Sequence, residues 1–289
     1  MKTNKISWKM LPPISDNRLF EARAQLHQAA QLLAATGISF LEARPDDSHT
    51  AMIWSDDDHL FLSQPFGDGG SLRVSLDPTN LDLTIKKNKI IIKKIILNGI
   101  ALTEAAAELQ LFLDGQGLSK DSFTMKKHYE LPDYPGRNDP SFDTSDSVAF
   151  QTLADSYTNA FTFFEEIRQN DSRASDLLVW PHHFDLGLLL TMATDEQGNL
   201  SKSIGIGLSP GDGSYTAPYY YVTNWPAPTA DKLPAELKSK GRWHTEYWVG
   251  MVLPLESITA MTETREQQKI AQTFLDNALL IARAFSSRN

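Results

Sequence analysis

The apolar positions of this chain alternate between a helical period and a strand period. From about Asn17 to Thr36, Leu19, Ala22, Leu26, Ala29 and Leu33 recur at three- and four-residue steps, which predicts an amphipathic helix with Gly37 as its stop. A second stripe, Phe150, Leu153, Tyr157, Phe161, Phe164 and Ile167, predicts a helix over about 147–168, and Thr103–Asp114 reads as a shorter one ending at Gly115 or Gly117. A closing helix carries Ile270, Phe274, Ala278, Ile281 and Phe285 on one face, with Thr264-x-x-Gln267 as a capping box. Between the helices the period is two. Leu72, Val74 and Leu76, then Leu81, Leu83 and Ile85, alternate with polar residues around the turn Asp77-Pro78-Thr79-Asn80, and Lys87-Asn88-Lys89 makes the next turn. Further strands are expected at Leu186–Met192, Ser203–Leu208, Pro218–Thr223 and Glu246–Leu253.

Strands joined as hairpins and segregated from helices point to an α+β class with antiparallel sheets. The order of elements occurs twice: a long helix, a strand ending in tryptophan (Thr50–Trp54, then Asp176–Trp180), more strands and a closing helix. The chain therefore reads as two pseudo-repeated halves, 1–130 and 147–289, joined by the proline- and aspartate-rich linker 131–146.

Composition narrows the function classes. The 289 residues carry Lys+Arg 27 against Asp+Glu 36, a net charge of −9, which argues against a nucleic-acid partner. The lysines at 86, 87, 89, 93 and 94 read as a solvated sheet face or a charged edge. No cysteine is present, which excludes disulfides, thiolate metal sites and a cysteine nucleophile and fits a cytoplasmic location. The first eight residues lack the apolar stretch of a signal peptide. The longest apolar run, near Ile90–Leu97, is broken by Lys93 and Lys94 and is too short to span a bilayer, so no membrane partner is expected.

The densest candidate chemistry is Trp180-Pro181-His182-His183-Phe184-Asp185. In an extended chain His183 and Asp185 share one face, and a carboxylate beside an imidazole suits acid/base work or metal ligation. Trp243-His244-Thr245-Glu246-Tyr247-Trp248 read as a strand puts His244 and Glu246 on one face and Trp243 on the other. Gly207-Leu208-Ser209-Pro210-Gly211 matches a nucleophile elbow in form only. The residue after the serine must donate its N–H to an oxyanion, and Pro210 has none. The same stretch lacks the lysine and the helix start of a phosphate loop. Tyr215, Tyr219, Tyr220, Tyr221, Trp225, Trp243, Tyr247 and Trp248 crowd the C-terminal half and suit the wall of an apolar pocket as well as a core. His27, beside the first helix's stripe, reads as a packed residue and not a ligand.

Several blocks, in order, resemble a bacterial domain-of-unknown-function family: Trp8 with Leu11-Pro12, Leu26-His27, Glu130–Asp133, Trp180 to Phe184-Asp185-Leu186, Ser209–Asp212, Tyr219–Tyr221 with Trp225-Pro226, Trp243-His244-x-Glu246 and Leu253-Pro254. The family's usual form has a Gly-Ser pair where this chain has Pro181-His182-His183, one residue longer. The resemblance implies no reaction, and it favours Asp185, His244 and Glu246 as the shared positions.

The expectation is thus a small-molecule site in the C-terminal half. His183, Asp185, His244 and Glu246 are its catalytic candidates, and Trp180, His182, Ser209, Asp212, Tyr219, Tyr221 and Trp243 would contact the ligand. A divalent metal is the one cofactor left open. The rival expectation is a non-catalytic interaction or structural module, homodimeric or docked on another protein.

Overall fold

A computed structural model describes residues 8–132, 134, 139–229, 231, 233, 237 and 239–287. Among the described residues, helices α1 (Asp16–Phe40), α2 (Leu102–Asp114), α3 (Ser147–Asn170), α4 (Leu255–Thr259) and α5 (Thr264–Ser286) accompany the strands β1 (Ile53–Ser55), β2 (Leu60–Leu62), β3 (Leu72–Leu76), β4 (Asp82–Lys87), β5 (Ile90–Ile96), β6 (Leu178–Trp180), β7 (Asp185–Thr194), β8 (Leu200–Ser209), β9 (Tyr219–Trp225), β10 (Arg242–His244) and β11 (Gly250–Pro254). The strands form two antiparallel sheets, β1-β2-β3-β4-β5 and β10-β11-β9-β8-β7-β6, so the protein is α+β. No described helix is long and apolar enough to cross a membrane. The chain divides into two compact units, one drawing on Met1–Ile14, Asp155–Leu177 and Asp185–Asn289, the other on Ser15–Ala154 and Leu178–Phe184.

In the unit of Ser15–Ala154 and Leu178–Phe184, α1 packs on β3 and α2. The core joins Leu19, Leu26 and Leu33 to Phe61, Val74, Leu83 and Ile85. Gly37 does not stop α1, which runs on to Phe40. A Cβ there would meet the His49 carbonyl oxygen at 2.2 Å, so glycine serves a close backbone approach. The Asn88 and Lys89 turn, both residues at positive φ, closes the β4–β5 hairpin as the two-residue form requires. Beyond β1, Met52 and Val179 exchange backbone hydrogen bonds of 2.8 Å.

His27 lies in this unit and is 1% exposed. A carbonyl only accepts, so Nε2 carries the ring proton and donates to Pro181 O at 2.7 Å. Nδ1 of the neutral ring then accepts from Tyr134 Oη at 2.6 Å. Gln31 Nε2 donates to the same Pro181 carbonyl at 2.9 Å and Tyr129 Oη donates to Gln31 Oε1 at 2.9 Å. Phe184, at φ 58, is held between His27 and Phe61, each with ring centroids 5.0 Å away. A packed role for His27 is what the structure displays.

In the other unit the apolar face of the sheet consists of Leu186, Leu188 and Leu190 (β7), Ile204, Ile206 and Leu208 (β8), Tyr220 and Val222 (β9) and Met251 and Leu253 (β11), all buried. α5 packs on β8, β9 and β11, with Ala271, Phe274 and Ala278 inward. The expected capping box does not form, since α5 has no side-chain cap. Gln267 instead accepts from Trp8 Nε1 (3.3 Å) and Leu11 N–H (2.9 Å) and donates to Leu11 O (2.8 Å). A buried amide that satisfies an incoming chain segment outweighs one exposed cap bond.

Candidate functional site

The opposite face of this sheet is unusual because it is built on glycine. β7, β8 and β9 pair so that Gly187, Gly207 and Tyr221 stand side by side, and two residues along, Gly205 stands beside Thr223. Successive residues in a strand alternate faces, so Asp185, Gly187, Gly205, Gly207, Ser209, Tyr219, Tyr221 and Thr223 all share this side. The Tyr221 ring lies flat over Gly207. A Cβ at 207 would come within 2.3 Å of both its Cζ and its Oη, and one at 187 would come within 3.1 Å of that hydroxyl. The glycines therefore clear a channel along which Tyr221 carries its hydroxyl two strands across, where it donates to Asp185 Oδ2. The other carboxylate oxygen of Asp185 has no hydrogen bond among the described residues.

A second tyrosine–aspartate pair lies beside the first. Tyr219 Oη donates to Asp212 Oδ2 at 2.6 Å, and Asp212 Oδ1 accepts from Ser214 N–H (2.7 Å) and Tyr215 N–H (3.0 Å), closing the loop after β8. Ser209 Oγ accepts from Gly211 N–H at 3.1 Å. Loss of hydration on burial, reinforced by the neighbouring carboxylates, raises both phenols well above the ordinary tyrosine range. Tyr219 and Tyr221 are therefore hydrogen-bond donors and not phenolates.

His244 closes the aromatic side. It ends β10, is 8% exposed, and stacks on Trp248 with ring centroids 4.1 Å apart. Its Nε2 donates to the Glu246 carbonyl at 2.6 Å, and its Nδ1 is hydrogen-bonded to Tyr215 Oη at 3.1 Å. Tyr215 contacts Tyr219 (4.7 Å between centroids), Tyr219 faces Trp248 (6.4 Å), and the Arg242 guanidinium lies 5.3 Å over Tyr215.

Asp185, Ser209, Asp212, Tyr219, Tyr221 and His244 are thus brought together. Two expectations require correction. Trp243–Trp248 is not one strand: β10 stops at His244 and the chain bends, with Tyr247 at φ 64, before β11 starts at Gly250. The Glu246 carboxylate is exposed as a result, and only its backbone oxygen meets His244. Trp243 lies on the other face, 6.3 Å from Phe285, so it lines no part of this side. Nor is Trp180–Asp185 extended. Pro181–Phe184 form a turn in which Phe184 N–H donates to Trp180 O at 2.7 Å, and Phe184 at positive φ cannot continue a strand. The facing of His183 and Asp185 that a strand would give is lost with it, and Tyr221 is the partner of Asp185. Trp180, His182 and His183 belong to the unit of α1. There the His182 ring sits 4.5 Å from that of His183 and 6.1 Å from Tyr129, and His183 is exposed.

Among the described residues no group of three His, Cys, Asp or Glu side chains is placed to hold a metal ion. The residues that sequence reasoning passed over are Gly187, Gly205 and Gly207. Their signal was present as Gly205 and Gly207 at a two-residue step inside apolar β8 and Gly187 inside apolar β7, which reads as a close approach on one face. Comparison with known proteins finds no matching family model, no matching curated protein and no matching solved structure.

Proposed function

We propose that the unit of β7–β11 binds a small polar molecule on its glycine-lined face, with Asp185 as the principal acceptor, held in place by the Tyr221 hydroxyl as Asp212 is by that of Tyr219, and His244 and Trp248 as an aromatic wall. The supporting observation is the glycine channel. Two strands forgo side chains so that one hydroxyl reaches one carboxylate, and the second oxygen of that carboxylate is left to accept from a ligand. If the bound molecule is also transformed, Asp185 is the group placed to take a proton from it. A cytoplasmic setting belongs to this proposal, as do membership of the bacterial family that the sequence resembles and a pseudo-repeat origin of the two halves.

The test is a thermal-shift screen of sugars, polyols, amino acids and nucleosides, repeated on Asp185→Asn and Tyr221→Phe. A compound that stabilises the wild type and neither variant supports the site. Hits indifferent to both substitutions, or no hit in any class, would sink it. The rival reading, a non-catalytic interaction or structural module, draws on the satisfaction within the protein of Asp212, Ser209, Tyr215 and His244, as in a polar packing layer. That reading predicts loss of stability in Tyr221→Phe with no ligand to lose.

A further inference from the structure

Strand β5 ends the five-stranded sheet, so its outer edge carries a row of backbone N–H and C=O groups that β4 does not pair. Among the described residues α2 packs on one face of β5, and backbone pairing with another segment begins only after the strand, where Gly99 N–H donates to Phe142 O and Phe142 N–H to Ile100 O. The edge is also apolar: Ile90 is 69% exposed, Ile91 62% and Ile96 61%. Register with β4 places Ile91 opposite Lys86, Lys94 opposite Thr84 and Ile96 opposite Asp82, so Ile91, Lys94 and Ile96 share the outer sheet face. Lys93 and Lys94 are bound by Glu108 (2.7 Å) and Asp82 (2.6 Å), and Lys86 lies 3.8 Å from Asp58. Lys87 and Lys89, at the hairpin turn beside Ile90, have no carboxylate partner among the described residues.

We propose that this edge receives an extended, acidic and apolar segment of another protein, which adds to the sheet antiparallel to β5. Backbone pairing would supply the attachment, and the isoleucines with the lysines at the turn beside them the choice of partner. The charge selects against a second copy of this chain. A two-fold pairing of β5 with itself, centred on the strand, places Lys93 against Lys93 and Lys94 against Ile92, with the lysine pair of each copy beside that of the other. A segment with carboxylates toward Lys87 and Lys89 meets the reverse situation, since Lys93 and Lys94 are already held by Glu108 and Asp82, and its apolar residues cover the isoleucines. The spread of the apolar positions argues against a lipid surface. Ile96 lies about 20 Å along the strand from Ile90, so the isoleucines form a strip along the edge and not a tip.

The probe is a fluorescent octapeptide of four Glu-Val repeats, followed by anisotropy, with the Lys-Val octapeptide as its counterpart and hydrogen exchange on β5 as a second readout. The wild type is expected to bind the acidic peptide saturably, to discriminate against the basic one, and to gain protection at Ile90–Ile96. A variant carrying Lys89→Glu and Lys94→Glu is expected to weaken the acidic peptide by about tenfold and to favour the basic one. A reversal of preference cannot come from misfolding, and the wild-type discrimination stands without any variant. Failure of the wild type to bind the acidic peptide, or equal binding of both peptides, overturns the proposal. So does β5 protection that arises with phosphatidylcholine–phosphatidylserine vesicles (3:1) or on self-association but not with peptide.

Discussion

Acidification to pH 5 is expected to weaken the unit that contains α1 through one residue, His27. Burial, the largest cause, pulls its pKa from 6.5 to about 4, against the opposing hydrogen bond to Pro181 O, and the positive charges of Arg23, His183 and His182 lower it further. The folded state thus holds this proton less tightly than the unfolded chain. Stability from the neutral ring is complete above pH 6.5 and is lost as pH falls toward 4, where the unfolded chain takes up the proton first. The loss relative to neutral pH is about 2 kcal/mol at pH 5 and levels off near 3 kcal/mol below pH 4. Carboxylates held below their usual range, such as Asp171, whose bonds to Arg173 bring it to about 2, contribute in the same direction but only as pH falls below about 3.8. The window from pH 7 to pH 5 therefore isolates the imidazole. Urea unfolding of the wild type and of His27→Leu at pH 7, 6 and 5 checks this. The variant starts lower by about 1–3 kcal/mol, because Tyr134 Oη loses its acceptor, but its stability should be nearly flat over the window. A variant that loses as much stability as the wild type between pH 7 and pH 5 refutes the assignment. So would a nitrogen-15 spectrum in which His27 is protonated at pH 5.5.

Adjacent tyrosines on β9 should respond with opposite signs. Tyr220 buries a hydroxyl that has no hydrogen-bond partner among the described residues, so Tyr220→Phe should be neutral or stabilising by up to about 1 kcal/mol in urea unfolding, whereas Tyr221→Phe strands Asp185 and should cost about 1–2 kcal/mol. Gly207→Ala forces Tyr221 off its course and should cost about 1–3 kcal/mol, a penalty that shrinks in the background of Tyr221→Ala, as a double-mutant cycle would show. Gln267→Ala leaves the Leu11 backbone groups without their side-chain partner and should cost about 1–3 kcal/mol, with faster hydrogen exchange at Leu11.

Periodicity was enough to place α1, α2, α3 and α5, and hairpin spacing enough to place the antiparallel strands. A repeat of apolar residues reports directly on which face is buried. What the periods did not carry was the purpose of a residue that breaks them. Gly37 has the appearance of a helix stop, yet its reason is the His49 backbone 2.2 Å from where a side chain would begin, a neighbour twelve residues away in sequence. Thr264-x-x-Gln267 has the spacing of a capping box, yet the glutamine serves the chain at Leu11. His244-x-Glu246 has the alternation of a strand face, yet β10 ends at His244 and the chain bends through a Trp248 N–H to Glu246 O hydrogen bond, so the glutamate never joins it. In each case a local rule lost to a partner or a bend that lies outside the window in which the rule is read.

The aspartate of the candidate site was legible and its partner was not, and the difference shows what kind of feature the site is. Asp185 stood out as a carboxylate next to two histidines, and the strand facing that would have set it beside His183 is replaced by the turn at Pro181–Phe184. Its partner is Tyr221, thirty-six positions away, and the link depends on the absence of side chains at 187 and 207. A polar packing layer could satisfy a tyrosine with any nearby carbonyl. Here the hydroxyl is carried over two glycines to a carboxylate whose other oxygen has no hydrogen bond among the described residues, at the cost of the β-propensity and packing that a valine at each position would provide. That expenditure concerns only the glycine-lined face, whereas the opposite face of the same three strands is built mainly of Leu, Ile and Val side chains. The contrast is the reason to look for a ligand at Asp185 before looking anywhere else on this unit.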